Sequence, residues 1–480
     1  MSERMHFSFK LGKQGDWNRP REPVKGFTVV MLGAFGGGTG TGNPLIEGVT
    51  TLHPVDIDTL DDIIARLRPS LTIPRDGESK PLVLRFSRLD DFHPDGLLEQ
   101  LGDDRRATSE TAADDLSKAA RENEVAAESG LSDASESEQA TLSRLLGDRP
   151  LSVEQQQEAR SSITGPKKAM IEDVVRRIAE TATVLNEPAS MERDSAEDGQ
   201  SDDKASALRS LLHLEAFQQL EASWRSVDWL LHATEPDPAI RFFILNITRS
   251  ELQQQQTDHP EAKSSPLHHL LRERIDGEDV SESDLILIDN HHYGPDQANI
   301  GMLDWLGSLV DQYDGTLLAG ADPGFLTDVA GTDDRYKEWQ SFRTKPTAAR
   351  ITLLYPDVLL RLPYGATTDP VQSFSFEELI EPWTLDQLLW GNPAYAQLIL
   401  LLNQWTYQGE REQPSLLTDL PAYSYQNEGE RHLQPCTKHL LQEQQIELLL
   451  KLGLVPLVGS RNRNAIQIPW YQHLALPVGE

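Results

Sequence analysis

Apolar and polar positions along this chain recur with two periods, and the changes between them mark out the predicted elements. The densest apolar patterning lies between Tyr355 and Trp405. Val358-Leu359-Leu360-Arg361-Leu362 is a short apolar run closed by Pro363 and Gly365. It predicts a buried strand ending in a turn, because proline cannot donate to a ladder and glycine accepts turn geometry. Downstream, residues 374–380 lead into a predicted helix over 385–390. Residues 394–402 have too many consecutive apolar positions for a surface helix, so this second helix is expected at the centre of a core.

Nearer the N-terminus, Phe27-Thr28-Val29-Val30-Met31-Leu32 predicts a strand running into a glycine-rich stretch over 33–42. Leu60, Ile63, Ile64 and Leu67 recur at helical spacing, with Asp61 and Asp62 favouring the N-terminus and Pro69 ending the helix. Leu82, Leu84 and Phe86 alternate as in a strand, and residues 89–95 read as a tight, acid-rich turn. The order of these elements suggests a compact α/β unit.

Between His93 and Ala216 there is no phenylalanine, tyrosine or tryptophan, and Glu, Asp, Ser, Ala and Gln dominate. Such a composition cannot pack a core alone. Amphipathic helical islands are expected over 140–147 and 170–185, and residues 194–203 read as flexible linker. Aromatics return over 211–231, where positions 214, 217, 220, 221, 224, 227 and 231 run down one side of a helix. Burying that stripe contributes several kcal/mol at about 25 cal/mol per Å². Residues 240–247 and 285–288 are buried-type strands, each leading towards a helix, over 300–309 in the second case. Gly453 is a helix C-terminus, and the segments around Arg461-Asn462-Arg463-Asn464 form a hairpin.

Length and charge narrow the function classes. At about 100–200 residues per domain, the 480 residues suggest two or three domains. The net charge of −32 argues against nucleic acid or an anionic membrane as partner, since both need fixed negative charge to be neutralised. A lone Cys436 excludes an intramolecular disulfide framework and a cysteine-cluster zinc site. No signal-peptide pattern opens the chain, and no apolar run reaches the roughly 20 residues a membrane span needs. A cytoplasmic protein without membrane insertion is expected.

Candidate chemistry is sparse. The glycines of 33–42 follow a strand, as phosphate loops do, but no G-x-G-x-x-G register fits them and no Gly-Lys-Ser/Thr follows. Asp90, Asp91 and His93 offer metal or acid–base groups, although adjacent aspartates more often cap turns. His291-His292 stand at a strand end and His268-His269 form a second pair. Neighbouring side chains on a strand point to opposite faces, so neither pair chelates alone. No nucleophile–base–orienter set is evident.

The motifs carry a family resemblance. Arg361-Leu362-Pro363-Tyr364-Gly365, then Phe374-x-Phe376-Glu377-Glu378, then Leu389-Trp390-Gly391-Asn392 closely resemble the large subunit of the contractile sheath of the bacterial type VI secretion system. Phe217, Glu221, Trp224 and Arg225 resemble the start of that subunit's folded part, with Ser226-Val227 where the family usually has Gly-Leu. Trp339 and Arg343 match its Trp-x-x-Phe-Arg helix. Separately, Asp56, Asp58 and the run Asp90-Asp91-Phe92-His93-Pro94 are similar to the small sheath subunit.

The resemblance implies a mixed α/β (α+β) fold: a contractile-tail-sheath-like body with mixed sheets flanked by helices, plus a long acidic linker. Residues 1–105 would be a small-subunit-like α/β region and 106–207 an acidic, aromatic-free linker with helical islands. Residues 208–410 would be the large-subunit-like core and 411–480 its C-terminal part, ending early. The implied role is a structural, non-enzymatic, cofactor-free component of the sheath. Its partners would be other sheath subunits, with the inner-tube protein, the baseplate and a recycling AAA+ unfoldase as further ones. Leu142, Leu145 and Leu146 form the candidate unfoldase contact. The family's large subunits continue past the hairpin, so an adaptor, cap or regulator that does not polymerise is an alternative. A nucleotide- or metal-dependent enzyme is the alternative of another class.

Overall fold

The structure, a computed structural model, describes residues 26–37, 51–73, 81–101, 193–276, 283–327, 334–406, 415–427, 430–461 and 463–476. The predicted islands at 140–147 and 170–185, with Leu142, Leu145 and Leu146, lie outside them. So does the second half of the glycine-rich stretch, residues 38–42. The chain divides into two compact units, one of residues 1–71, 85–93 and 212–480, the other of residues 72–84 and 94–211.

The first unit is built on a seven-stranded sheet. Its strands are β1 (Phe27–Gly33), β2 (His53–Val55), β5 (Ile240–Asn246), β6 (Asp284–Tyr293), β7 (Thr316–Ala321), β8 (Ile351–Tyr355) and β14 (Val455–Pro456). They lie in the order β14-β8-β7-β6-β1-β5-β2, all parallel except β2, which closes one edge antiparallel to β5. Strand β1, from the N-terminal region, thus sits between two strands more than two hundred residues away. Phe27 pairs with Ile240 on one side and Asp284 on the other. Every residue of β1 is buried, as a strand covered on both faces requires.

Successive side chains alternate between those faces. Val30, Leu32, Leu245, Leu287 and Leu353 join one core with α4 (Arg249–Asp258), α5 (Pro266–Asp276), α6 (Gln297–Asp311), α7 (Asp334–Arg343) and α9 (Glu443–Lys451). On the other face, α8 (Ala394–Thr406) lies on β6 and β7 and packs against α3 (Glu215–Ala233). As its apolar run predicts, α8 is buried from Ala394 through Leu400. Helix α1 (Leu60–Leu67) occupies the predicted residues and ends at Arg68 in the left-handed region.

Smaller pieces decorate this body. β9 (Val358–Leu359) pairs with β10 (Trp390–Gly391), and β11 (Leu416–Leu417) with β16 (Ile466–Gln467). β15 (Val458–Gly459) pairs with β16 across the predicted hairpin, and β12 (Tyr423–Asn427) forms a ribbon with β13 (Glu430–Gln434). β3 (Ser70–Ile73) and β4 (Leu82–Arg85) form another two-stranded sheet. In the second unit, a helix covers 94–101, opened by buried Pro94, and α2 (Arg193–Leu212) covers the end of the aromatic-poor region.

Four local expectations are corrected. Residues 194–203 are helical within α2 rather than linker: buried Ala205, Leu208 and Leu211 anchor the C-terminal half from which the helix propagates. Residues 385–390 are not a helix. A single 3-10 turn, Leu385–Gln387, gives way to β10, whose Trp390 and Gly391 pair with Leu359 and Val358 of β9. The strand predicted over 358–362 stops after Leu359, because Arg361 turns into a buried ion cluster. His268-His269 lie on helix α5, not on a strand.

Candidate functional site

The motif residues converge on a cluster of buried charge. Arg361 is 9 % exposed and Glu221 fully buried. Arg361 Nε and Nη2 donate to Glu221 Oε1 and Oε2 at 2.8 and 3.1 Å, while Nη1 and Nη2 donate to Glu378 Oε2 and Oε1 at 2.7 and 3.1 Å. One planar guanidinium therefore grips two carboxylates, which lysine's point charge cannot do. Arg225, one helical turn after Glu221 on α3, donates to Glu221 Oε1 at 2.7 Å and to the Tyr364 hydroxyl at 2.9 Å. The Tyr364 ring stacks under the Arg361 guanidinium at 4.0 Å, and its backbone N–H donates to Glu378 Oε2 at 2.7 Å.

Two cations face two anions, so the cluster is charge-balanced away from water. Burial alone would raise the Glu221 pKa, but Arg361 and then Arg225 outweigh it and hold the carboxyl below its usual range. Burial would depress Arg361, yet Glu221 and Glu378 raise it well above normal. Tyr364 is raised, chiefly by burial. The loop that aims these groups explains the rest of the motif. Pro363 is buried, and at Gly365 a Cβ would lie 2.2 Å from Glu377 Oε2.

The N-terminal motif docks on the same cluster. His93 meets the Tyr364 ring edge-on at 4.9 Å, and Phe92 stacks on Phe86 at 4.2 Å with Phe217 of α3 beside both. Trp224 Nε1 donates to the Phe35 carbonyl at 3.0 Å, against the Phe35 ring. The aspartates serve local geometry. Asp91 accepts from Ser87 N and Oγ and from Arg88 N and Nε; burial would raise its pKa, but these bonds hold it below normal. Asp56 accepts from Asp58 N and Thr59 N ahead of α1, while Asp58 and Asp90 are exposed.

A second junction forms at the end of β6. Asn392 donates from Nδ2 to the Asp289 carbonyl at 3.1 Å and accepts from Ala394 N at 3.0 Å, which starts α8. Tyr395 donates to Asn290 Oδ1 at 2.8 Å. Trp390 Nε1 donates to the Leu385 carbonyl at 2.6 Å, and a Cβ on Gly391 would lie 2.7 Å from the Leu360 side chain. Buried Asp289 accepts from His291 Nδ1 and from the Tyr293 hydroxyl, while His292 pairs with Asp357 at 2.7 Å across a bulge. Both histidines are thus committed to different carboxylates. Among the described residues no group of three or more His, Cys, Asp or Glu is placed to hold a metal.

A third junction holds the C-terminal part. Trp339 Nε1 donates to the Leu452 carbonyl at 2.9 Å, and Arg343 donates to the carbonyls of Leu474 and Lys451, each at 2.6 Å. Gly453, at φ +87°, fits beside Arg343 where a Cβ would lie 2.9 Å from Nε. Sequence reasoning gave no role to Glu378, Phe35, Asp289 or Asn290. Glu378 stood beside Glu377 in a quoted motif, and Asp289-Asn290 stood with His291-His292 at a strand end, where ligand sites collect.

What these contacts achieve is the fixing of chain segments on one another. Among the described residues no helix is long and apolar enough to cross a membrane. Comparison with known proteins agrees with the motifs. Residues 202–468 match the family profile VipB, described as EvpB/VC_A0108, tail sheath N-terminal domain. The chain is 25 % identical over 336 residues to the type VI secretion system sheath protein TssC1 of Pseudomonas aeruginosa, covering 64 % of this chain and 67 % of that protein. With more than half of its length matched by the profile and the profile's region built around the Glu221–Arg361–Glu378 cluster, this chain belongs to the VipB family of type VI secretion tail-sheath proteins.

Proposed function

We propose that the chain is a sheath subunit that carries small- and large-subunit regions in one polypeptide and acts in the cytoplasm through protein–protein contacts. The observation that carries this reading is β1. A strand from the region similar to the small subunit completes the sheet of the region matched to the tail-sheath domain, between β5 and β6. Joining the two in one chain fixes their stoichiometry and raises the effective concentration of one for the other. The resemblance to TssC1 supports assembly with other sheath subunits. The inner tube, the baseplate and an AAA+ unfoldase reaching Leu142, Leu145 and Leu146 are the further partners of this reading.

Electron microscopy of the purified protein at high concentration, alone and mixed with ordinary sheath subunits, tests it. Tubes or mixed sheaths are the expected result. Binding to sheath ends without elongation would make the chain a cap or adaptor, and persistent monomers with no effect on ordinary sheath would overturn the reading. For the unfoldase, Leu142→Asp with Leu145→Asp is expected to abolish binding to its N-terminal domain with an unchanged melting temperature.

A further inference from the structure

The ribbon of β12 and β13 has no third strand among the described residues, and a two-stranded ribbon alone is marginally stable in water. Its order comes from an aromatic surface. Tyr423 and Tyr425, two apart on one face of β12, stack at 6.0 Å, and Trp383 meets them edge-on at 5.8 and 4.9 Å. Three residues before Trp383, Ile380 is 53 % exposed. Carboxylates rim this surface: after burial, Glu377, Glu381 and Glu378 raise the Tyr423 pKa, and Glu377 and Glu381 are exposed. Trp383, Tyr423 and Tyr425 are half-buried, with His432 stacked on Tyr425 at 5.7 Å; the open parts of these rings, beside exposed Ile380 and the carboxylates, favour a partner with cationic and apolar side chains together.

The chain contains such a segment. Residues 1–25 carry six Lys or Arg against three Asp or Glu, in a chain whose net charge is −32. Met5, Phe7, Phe9, Leu11 and Trp17 interleave with Arg4, Lys10, Lys13 and Arg19. We infer that residues 1–25 dock in cis on the acid-rimmed aromatic surface of Ile380, Trp383, Tyr423 and Tyr425. The tether begins at Gly26, the residue before β1, and at about 3.3–3.6 Å per residue its reach of roughly 80–90 Å suffices for a body of this size. Tethering gives the segment an effective concentration that a separate copy would not match. The inference does not depend on whether the chain polymerises.

Zero-length carbodiimide cross-linking of the full chain, read by mass spectrometry on a mixture of isotope-labelled and unlabelled copies, tests it. Lys10 or Lys13 is expected to join Glu377 or Glu381 within single copies. The yield should fall about tenfold in Ile380→Asp, in an Arg4→Glu/Arg19→Glu/Arg21→Glu variant that keeps Lys10 and Lys13 as reporters, and at ~1 M salt, where the Debye length is about 3 Å. Ile380 is exposed, and an unchanged urea midpoint in each variant verifies the fold. Cross-links to other carboxylates, cross-links only between copies, or a yield indifferent to all three changes would overturn it.

Discussion

At the residue scale, Arg361 carries more than any other side chain described here. Removing it leaves Glu221 and Glu378 buried without their shared partner, and breaking a buried pair in this way costs about 3–5 kcal/mol. Arg361→Ala is therefore expected to lower the unfolding free energy by about that much in urea titrations, and Arg361→Lys to recover little, because an ammonium cannot grip both carboxylates. Asp91→Ala, which removes the turn caps on Ser87 and Arg88 and an exposed ion pair with Arg88, should cost about 1 kcal/mol. Protonation gives a second test. Burial would lower the His292 pKa, but Asp357 outweighs it and raises the folded-state value above 6.5. This pair's contribution is fully present below pH 6.5 and is lost as pH rises through the raised value. The stability difference between the parent chain and Asp357→Asn should accordingly shrink above that point. His473 has the opposite sign: burial, then Arg350, lowers it to about 4. Its contribution is present above pH 6.5 and is lost as pH falls towards 4, so His473→Gln should flatten the acid limb.

At the scale of elements, the legible parts were those whose apolar period is set by one neighbour. Helix α1, strand β5 and the buried helix α8 lie close to where their patterns place them, and β1 extends one residue beyond its apolar run to Gly33. The 3-10 turn at Leu385–Gln387 was not legible, because Leu385, Leu388 and Leu389 keep helical spacing while the break comes from pairing of Trp390 and Gly391 with distant β9. Nor could sequence show that Asn392 of Trp-Gly-Asn-Pro is a bracket between β6 and α8. Asn392→Asp should keep the cap on Ala394 and lose the donor to Asp289, whereas Asn392→Ala loses both. The alanine variant is expected to cost about 1–2 kcal/mol more than a neutral surface change, with the aspartate intermediate, as read by denaturant midpoints. The cluster itself was half legible: Glu221, Arg225, Arg361 and Tyr364 stood in recognisable motifs, but Glu378's part in it depends on a loop folding back seventeen positions later.

At the scale of the molecule, the sheet order decides what can be separated. Strand β1 has neighbours on both sides, so the N-terminal region is not a domain that can be lifted off. Cutting within 106–192 should leave fragments that co-elute and unfold together, whereas residues 1–105 and 208–480 expressed apart should be insoluble or molten. Two independently cooperative, monomeric fragments would contradict the sheet order.

The same placement of β1 sets a timetable for synthesis. Phe27 leaves the ribosome about 210 residues before Ile240, a wait of roughly 10–40 s at about 5–20 residues per second for the strand that Phe27 pairs with. Throughout that interval a seven-residue apolar segment, buried in the finished protein, has neither neighbour available. Its high non-local pairing makes the nascent chain slow to close and exposed to misassociation. Holding by a chaperone during translation is the natural safeguard, and the acidic stretch made in between delays closure while helping to keep the growing chain soluble.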